Sequence, residues 1–466
     1  SLYEMLLNET REISFYLVKL NEFKITNKEI IAFCVQVLSI FLINTSFNHK
    51  KYLNLIQKLY SYKKEIKEKY MGYCSENQLP CEIMNNNFKL EENTTISEMI
   101  EFSERSIANR QKNCDKKKFR LFELITIFAR LSSIDIVKIK KLEPDFCEYD
   151  YEIIRFFALT NGYSIRNEKI IRRIMEFSEI ALKIRKKLFE VYNERYGAKE
   201  SASILTSAVS GRSILVSGDD LDELEKLLKT IEKISKEENL KEKINVYTNG
   251  PLFLAHFYPY FKNNEFLKGH YGTDSAEYDF SNFQGTILIT QNFVQKIDSL
   301  YRGEIFSNKI ISFNKVFDIK EENYEPVVRS AMKLEGFLED EERKILNVSY
   351  DSKKVEKILN LIAENNDLAV IIGNPKLETL KEEKDVKTLN LTCPCDVDIF
   401  FSAIEKLKEK NIKLSLFFAE CNNTNLFALL SLLGQKINIA IANCPHSLIN
   451  PHVIEALRED FNVKII

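Results

Sequence analysis

Over the first two hundred residues the apolar positions recur every three or four places. Leu6, Ile13, Leu17 and Leu20 fall on one stripe, and Ile30, Phe33, Val37 and Phe41 on another, which is the spacing of buried helical faces. Asn27, just ahead of Glu29, reads as the N-cap of the second of these helices. A faint internal repeat runs through the same region. Leu2-Tyr-Glu-Met-Leu followed by Glu29-Ile-Ile-Ala-Phe33 recurs as Leu121-Phe-Glu-Leu-Ile followed by Glu152-Ile-Ile-Arg-Phe156. The pattern predicts two related helical bundles with an Asn-rich linker at about 74–97.

Beyond Gly197 the texture changes to short apolar runs that end in polar residues and alternate with helical stretches. Ser213-Ile-Leu-Val-Ser217, then a helix over residues 221–234, then Ile244-Asn-Val-Tyr-Thr-Asn-Gly250 is a strand–helix–strand series, and Gly285-Thr-Ile-Leu-Ile-Thr-Gln-Asn292 adds another strand. After the acidic stretch at 335–343 the alternation resumes with Leu346-Asn-Val-Ser, Leu368-Ala-Val-Ile-Ile-Gly373, Thr388-Leu-Asn-Leu391, Leu414-Ser-Leu-Phe-Phe418 and Ile437-Asn-Ile-Ala-Ile441. The expected organisation is a multidomain α and α/β protein: an N-terminal helical-bundle domain over 1–205, then two Rossmann-like α/β domains over 206–344 and 345–466 with mostly parallel sheets.

Composition narrows the classes of function. Lys+Arg is 66 against Asp+Glu at 68, a balance that argues against nucleic acid as a partner, because its binders carry a basic surplus. The basic runs Lys116-Lys-Lys-Phe-Arg120 and Lys183-Ile-Arg-Lys-Lys187 therefore read as solvated helix faces. The longest nearly apolar run, residues 30–43, is too short to span a bilayer, and no signal-peptide pattern opens the chain, so the expected compartment is the cytoplasm and no membrane contact is expected. The nine cysteines in so long a chain do not suggest a secreted disulfide framework. No G-x-G-x-x-G or Walker-type loop supports a nucleotide cofactor.

In open parallel sheets ligands sit beyond the carboxyl ends of the strands. Here those ends are Gly218-Asp219, Asn249-Gly250, Gln291-Asn292-Phe293, Gly373-Asn374, Thr392-Cys393-Pro-Cys395, Glu420-Cys421 and Asn443-Cys444. Cys393, Cys395, Cys421 and Cys444 are thus candidate ligands for a cluster or a zinc ion. Against that stands the frequency of cysteine in buried α/β interiors, and only the C-x-C pair is local. Asp219 and Asp220 with Glu420 form a candidate carboxylate pocket for a hard cation, with helix capping as the competing role for the aspartates. His256, between Ala255 and an aromatic run, reads as a packed, hydrogen-bonded residue.

Several consecutive stretches resemble the hybrid cluster proteins, also known as prismane proteins or hydroxylamine reductases. They are Val246-Tyr-Thr-Asn-Gly250, Ala255-His-Phe-Tyr-Pro259, Gly269-His-Tyr-Gly272, Phe283-Gln-Gly-Thr-Ile-Leu-Ile-Thr-Gln-Asn292 and Leu334-Glu-Gly-Phe-Leu-Glu-Asp340. Glu12-Ile-Ser-Phe-Tyr16, Leu429-Leu-Ser-Leu-Leu-Gly434 and Asn450-Pro-His-Val453 fit the same family in the same order. The resemblance implies a helical domain and two Rossmann-like domains meeting at an iron–sulfur–oxygen hybrid cluster held by one His, two Glu and four Cys. The family's Ser-Gly-His-Asp motif falls on Ser217-Gly-Asp219-Asp220, which puts Asp219 at the His position; Thr-His-Gly-Glu falls on Thr248-Asn-Gly-Pro251, which puts Pro251 at a Glu position. Phe293 stands where a strand-ending Cys is expected, and Ile372-Gly-Asn374 has no cysteine where the family has one. Cys395 and Glu420 are the two inherited ligand positions of the seven. A four-cysteine motif for the family's second, cubane-type cluster has no counterpart within the sequence, and whether one precedes Ser1 is left open.

Bridged iron requires soft, electron-rich donors, and neither Phe nor Pro supplies one. The expectation is a degenerate family member that keeps fold and central pocket, holds no cofactor in that pocket, and acts in binding or assembly with a protein partner or redox partner. The alternative is an active iron–sulfur oxidoreductase of the hydroxylamine or nitric oxide reductase type with a rebuilt cluster. A third reading is a metal-dependent enzyme of another class using Asp219 and Glu420. The sequence does not set the oligomeric state.

Overall fold

The structure is a computed structural model and describes residues 2–40, 48–84, 94–240, 242–272, 276–292, 301–310, 316–348, 368–372, 387–391, 414–418, 423–431, 433, 438–441 and 450–465. Its first part is helical: α1 (Leu2–Glu22), α2 (Lys28–Leu38), α3 (His49–Glu76), α4 (Ile96–Lys112), α5 (Lys116–Leu142), α6 (Asp150–Ala158) and α7 (Asn167–Tyr196). Local chemistry fixes where these helices start. The Asn27 side chain accepts the Ile30 N–H at 3.0 Å, Asp115 accepts that of Lys118 at 2.8 Å, and Thr95 with Glu98 forms a reciprocal capping box. The order long, short, long in α1–α3 returns in α5–α7, with lengths of 21, 11 and 28 residues against 27, 9 and 30. The two sets share one apolar core, in which the rings of Phe156 and Phe177 stack 3.9 Å apart.

An eight-stranded sheet follows, built from β1 (Ala202–Leu205), β2 (Ser213–Ser217), β3 (Asn245–Asn249), β4 (Leu267–His270), β5 (Thr286–Ile289), β6 (Ile305–Ser307), β7 (Val316–Asp318) and β8 (Ile345–Val348). Its order is β7-β6-β5-β2-β3-β4-β1-β8, and every pairing is parallel except β8 on β1. Both faces are covered. Helix α8 (Leu221–Glu237) sets Leu224, Leu227, Leu228 and Ile231 against Ile214, Val216 and Val246, and α11 (Glu325–Lys333) adds Val327, Val328 and Ala331. The opposite face carries Leu215, Tyr247, Ile287 and Ile289 under Phe283 and Phe337. Burial from both sides is why these strands are continuous apolar runs rather than alternating ones. The short helices α9 (Pro259–Lys262) and α10 (Ala276–Asn282) connect strands.

The last part contributes a second, all-parallel sheet ordered β10-β9-β11-β12-β13, from β9 (Leu368–Ile372), β10 (Lys387–Leu391), β11 (Leu414–Phe418), β12 (Asn438–Ile441) and β13 (Lys464–Ile465). The sequence places the strand at 345–348 at the head of this last segment. In the structure it pairs antiparallel with β1, Ile204 opposite Leu346, because strand pairing is decided by the partner edge and not by the residues of one strand. Helices α12 (Asn423–Ser431) and α13 (Pro451–Asp460) return to the helical part. Phe427 meets Phe128 edge-on at 6.2 Å, and Arg120 forks onto Asp460 at 2.6 and 3.0 Å.

Candidate functional site at the strand ends

In the eight-stranded sheet the chain order reverses between β2 and β5, since β3 lies on one side of β2 and β5 on the other. A crevice opens beyond the carboxyl ends of two such strands. Gly218 ends β2 with φ +142°, and a Cβ there would lie 2.2 Å from Thr290 Oγ1. Only glycine lets the chain pass Thr290 and deliver Asp219 and Asp220 to the crevice. Across it, α5 presents Ile134, Val137, Lys138 and Lys141 on one helical face, and Thr290, Gln291, Asn292, Lys309 and Ser39 complete the walls of a cavity of about 100 Å³.

The cavity is lined with paired charges. Lys138 Nζ donates to Asp219 Oδ2 at 2.6 Å. Lys141 pairs with Asp220 and reaches Glu223 Oε1 at 3.3 Å; Lys309 pairs with Glu223 and reaches Asp220 Oδ2 at 3.2 Å. Asp220 is also the N-cap of α8, accepting the Glu223 N–H at 3.3 Å, so the competing capping role is the one Asp220 fills. Burial alone would raise the Asp220 carboxyl, but Lys309 and Lys141 hold it well below the usual carboxylate range. Burial, reinforced by Asp220, pushes Glu223 up against the pull of the same two amines. Burial would lower the Lys309 amine, yet Glu223 and Asp220 raise it above the ordinary lysine value. Lys138 and Lys141 come from the helical part and the carboxylates from the β2–α8 turn, so the network joins two layers of the molecule.

Of the positions singled out from sequence, Asp219 lines this cavity. Pro251, itself exposed, is the second residue of the largely buried 3-10 helix Gly250–Phe257 and is not among the walls of the cavity. Phe293, Cys393, Cys395, Glu420, Cys421 and Cys444 lie outside the described residues. Among the described residues no group of three or more His, Cys, Asp or Glu is arranged to hold a metal ion, and no helix is long and apolar enough to cross a membrane.

Two arrangements become apparent only in the fold. Lys138 and Lys141, three apart on α5, share a face with Ile134 and Val137; a pair of lysines interrupting an apolar face was the available signal. The second is a buried chain beyond β3. Thr248 Oγ1 lies 2.9 Å from both His256 Nε2 and His270 Nδ1. Burial lowers His256 to about 3, with His270 adding to the effect, and burial lowers His270 to about 4. Both rings are neutral at pH 7. Beside them the Ser217 hydroxyl donates to Asn249 Oδ1 at 2.8 Å, and Asn249 Nδ2 donates to Asp279 Oδ2 at 3.0 Å. His256 is packed and hydrogen-bonded.

Comparison with known proteins gives the lineage. Over 444 residues the chain is 25% identical to a hydroxylamine reductase of Thermodesulfovibrio yellowstonii, covering 91% of this chain and 78% of that one. Among solved structures, carbon monoxide dehydrogenase IV from Carboxydothermus hydrogenoformans superposes with a TM-score of 0.47 at 12% identity, over 99% of this chain and 85% of that one. The α subunit of an acetyl-CoA synthase/carbon monoxide dehydrogenase, with nickel-containing [Fe4S4] clusters, gives a TM-score of 0.47 at 8% identity, over 100% and 79%. Residues 4–426 match the Prismane/CO dehydrogenase family, and the chain belongs to that family.

Proposed function

We propose that this chain keeps the family fold and central pocket without the hybrid iron–sulfur cluster, and that it serves in binding or assembly with a protein partner. The observation that carries the reading is the state of Asp219. It stands at the position the resemblance gives to a ligand histidine, and its carboxylate is held by the Lys138 ammonium at 2.6 Å. A protonated amine is no ligand, and a carboxylate it neutralises is a poor one. Lys141 and Lys309 bind the neighbouring carboxylates in the same way. Pro251 offers no side-chain donor at all. The described residues at ligand positions therefore do not fit the group, and the sequence adds Phe293 where a thiolate is needed.

The network instead acts as a clasp. The ammonium groups of α5 close on the carboxylates of the β2–α8 turn, and burial makes each pairing worth more than the same contact in water. Cys395 and Glu420 are then inherited positions without their former task, and Cys393, Cys421 and Cys444 are ordinary cysteines of an α/β domain. The test is iron and acid-labile sulfide determination on anaerobically purified full-length protein, with its absorption spectrum and a hydroxylamine reduction assay. The expected result is no stoichiometric iron and no turnover. Stoichiometric iron and sulfide, lost on Cys395→Ala, would restore the iron–sulfur oxidoreductase reading.

A further inference from the structure

The end of α3 brings two cysteines together. The helix stops at Glu76, and Gln78 follows with φ +56°. The Leu79 N–H donates to the Cys74 carbonyl at 2.8 Å, and the Gln78 N–H to that of Ser75 at 3.3 Å. These are the two bonds of a Schellman cap, which turns the chain back on its helix, and Pro80 keeps the helix from resuming. The returning segment runs beside α3. The Glu82 N–H donates to the Tyr70 hydroxyl at 3.3 Å, and the Met84 N–H to the Tyr16 hydroxyl at 3.2 Å. Lys19 Nζ pairs with Glu82 Oε2 at 2.8 Å.

Tyr70 and Cys74 are four apart and share a face of α3. Cys81 stands between Leu79, bonded to Cys74, and Glu82, bonded to Tyr70, and so arrives at that face. Its thiol is hydrogen-bonded to the Cys74 thiol, which pushes Cys81 up to about 11. Cys74 is 2% exposed, whereas Cys81 is open to solvent, and neither lines the crevice.

We propose that Cys74 and Cys81 form a reversible dithiol–disulfide site, oxidised by small disulfides of the glutathione type. Cys81 attacks the small disulfide: its sulfur bonds to one of the two sulfurs, and the other leaves as a thiol carrying the Cys81 proton. Cys74 then attacks Cys81 Sγ, closing the Cys74–Cys81 bond and releasing the second small thiol with the Cys74 proton. Two cysteines are oxidised, and one disulfide is reduced to two thiols. Thiolate is scarce on Cys81 at neutral pH, so closure takes on the order of hours. The bond ties the returning segment, with Glu82 on Lys19 of α1, to the end of α3. The site is independent of the cluster question at the crevice.

The test equilibrates native full-length protein with glutathione disulfide at about pH 8, where thiolate is more abundant, then alkylates it and digests it with trypsin. Residues 70–89 form one tryptic peptide that holds these two cysteines and no third. It should appear without alkyl groups and two hydrogens lighter, and prior reduction with dithiothreitol should restore two alkyl groups. In urea the ratio of closed peptide to mixed disulfide should fall about tenfold, because the cap no longer presents one sulfur to the other. Cys74→Ser should leave a stable glutathione adduct on Cys81. Two alkyl groups on the native peptide, or a glutathione adduct persisting on wild-type Cys81, would overturn the proposal. So would an equal ratio in urea. If Cys74→Ser does not fold, the wild-type readings decide.

Discussion

Two of the ionic networks among the described residues, one in the helical part and one at the crevice, are built differently. Inside the helical part, Arg110 forks between Glu4 and Glu123, with Arg11 closing on Glu4. At the crevice, Lys138, Lys141 and Lys309 meet Asp219, Asp220 and Glu223. The first uses planar, multidentate guanidiniums in a sealed core; the second uses single-point ammoniums around a cavity that reaches solvent. The arginine network fixes the register of two repeated helical units, so each of its charges depends on the others. The lysine network spans layers that each have their own apolar core, so it can be dissected one pair at a time. Similar charges thus join repeated helical units in one place and line a cavity at the strand ends in the other.

The largest expected effect separates the two. Arg110→Met leaves Glu4 and Glu123 without their shared partner and should destabilise by about 3–5 kcal/mol, read as a drop in the denaturant midpoint. Lys309→Met should cost less, about 2–3 kcal/mol, because Lys141 still reaches Asp220 and Glu223. A loss at Lys309 equal to that at Arg110 would erase the distinction between the networks.

The buried histidines give a smaller effect with a definite sign. His256 and His270 are depressed from 6.5 to about 3 and about 4 by burial, so below pH 6.5 the unfolded chain takes up protons that the native chain refuses. Stability is complete above pH 6.5 and should fall as pH drops toward 4, by about 1.4 kcal/mol per unit for each ring. Glu9 and Glu223, raised by burial, act in the opposite direction. The check is therefore the difference in slope between wild type and His270→Asn over pH 6.5–4.5, the variant being the flatter. The smallest effect is expected from Lys138→Met, since Asp219 is 32% exposed. It should change stability by under about 1 kcal/mol, measured by the same midpoint.

Much of the fold was legible from short-range pattern. The run at Ser213–Ser217 is apolar because both sheet faces are buried there, the runs at Leu368–Ile372 and Leu414–Phe418 are strands as their pattern predicts, and Asn27 marks the start of α2 through its own cap bond. Strands β6 and β7, three residues each, left no run long enough to read, and the partner of β8 depended on an edge more than a hundred residues earlier. At the site, Asp219 and Asp220 were visible because a strand end announces them. Lys309 was not, because its role exists only once β6 stands beside β5 and faces α8. The arginine network was half legible: Glu4 and Glu123 lie within the repeat, but Arg110, which joins them, lies outside it.

The central claim is that the crevice is closed by charge pairs where the family resemblance would put a metal cluster. Iron and acid-labile sulfide measured on anaerobically purified full-length wild type, side by side with Lys138→Met and Asp219→His, test it most directly. The account predicts no stoichiometric iron in wild type and none gained in either variant, because Pro251 and Phe293 still supply no ligand. Stoichiometric iron and sulfide in the wild type would contradict it.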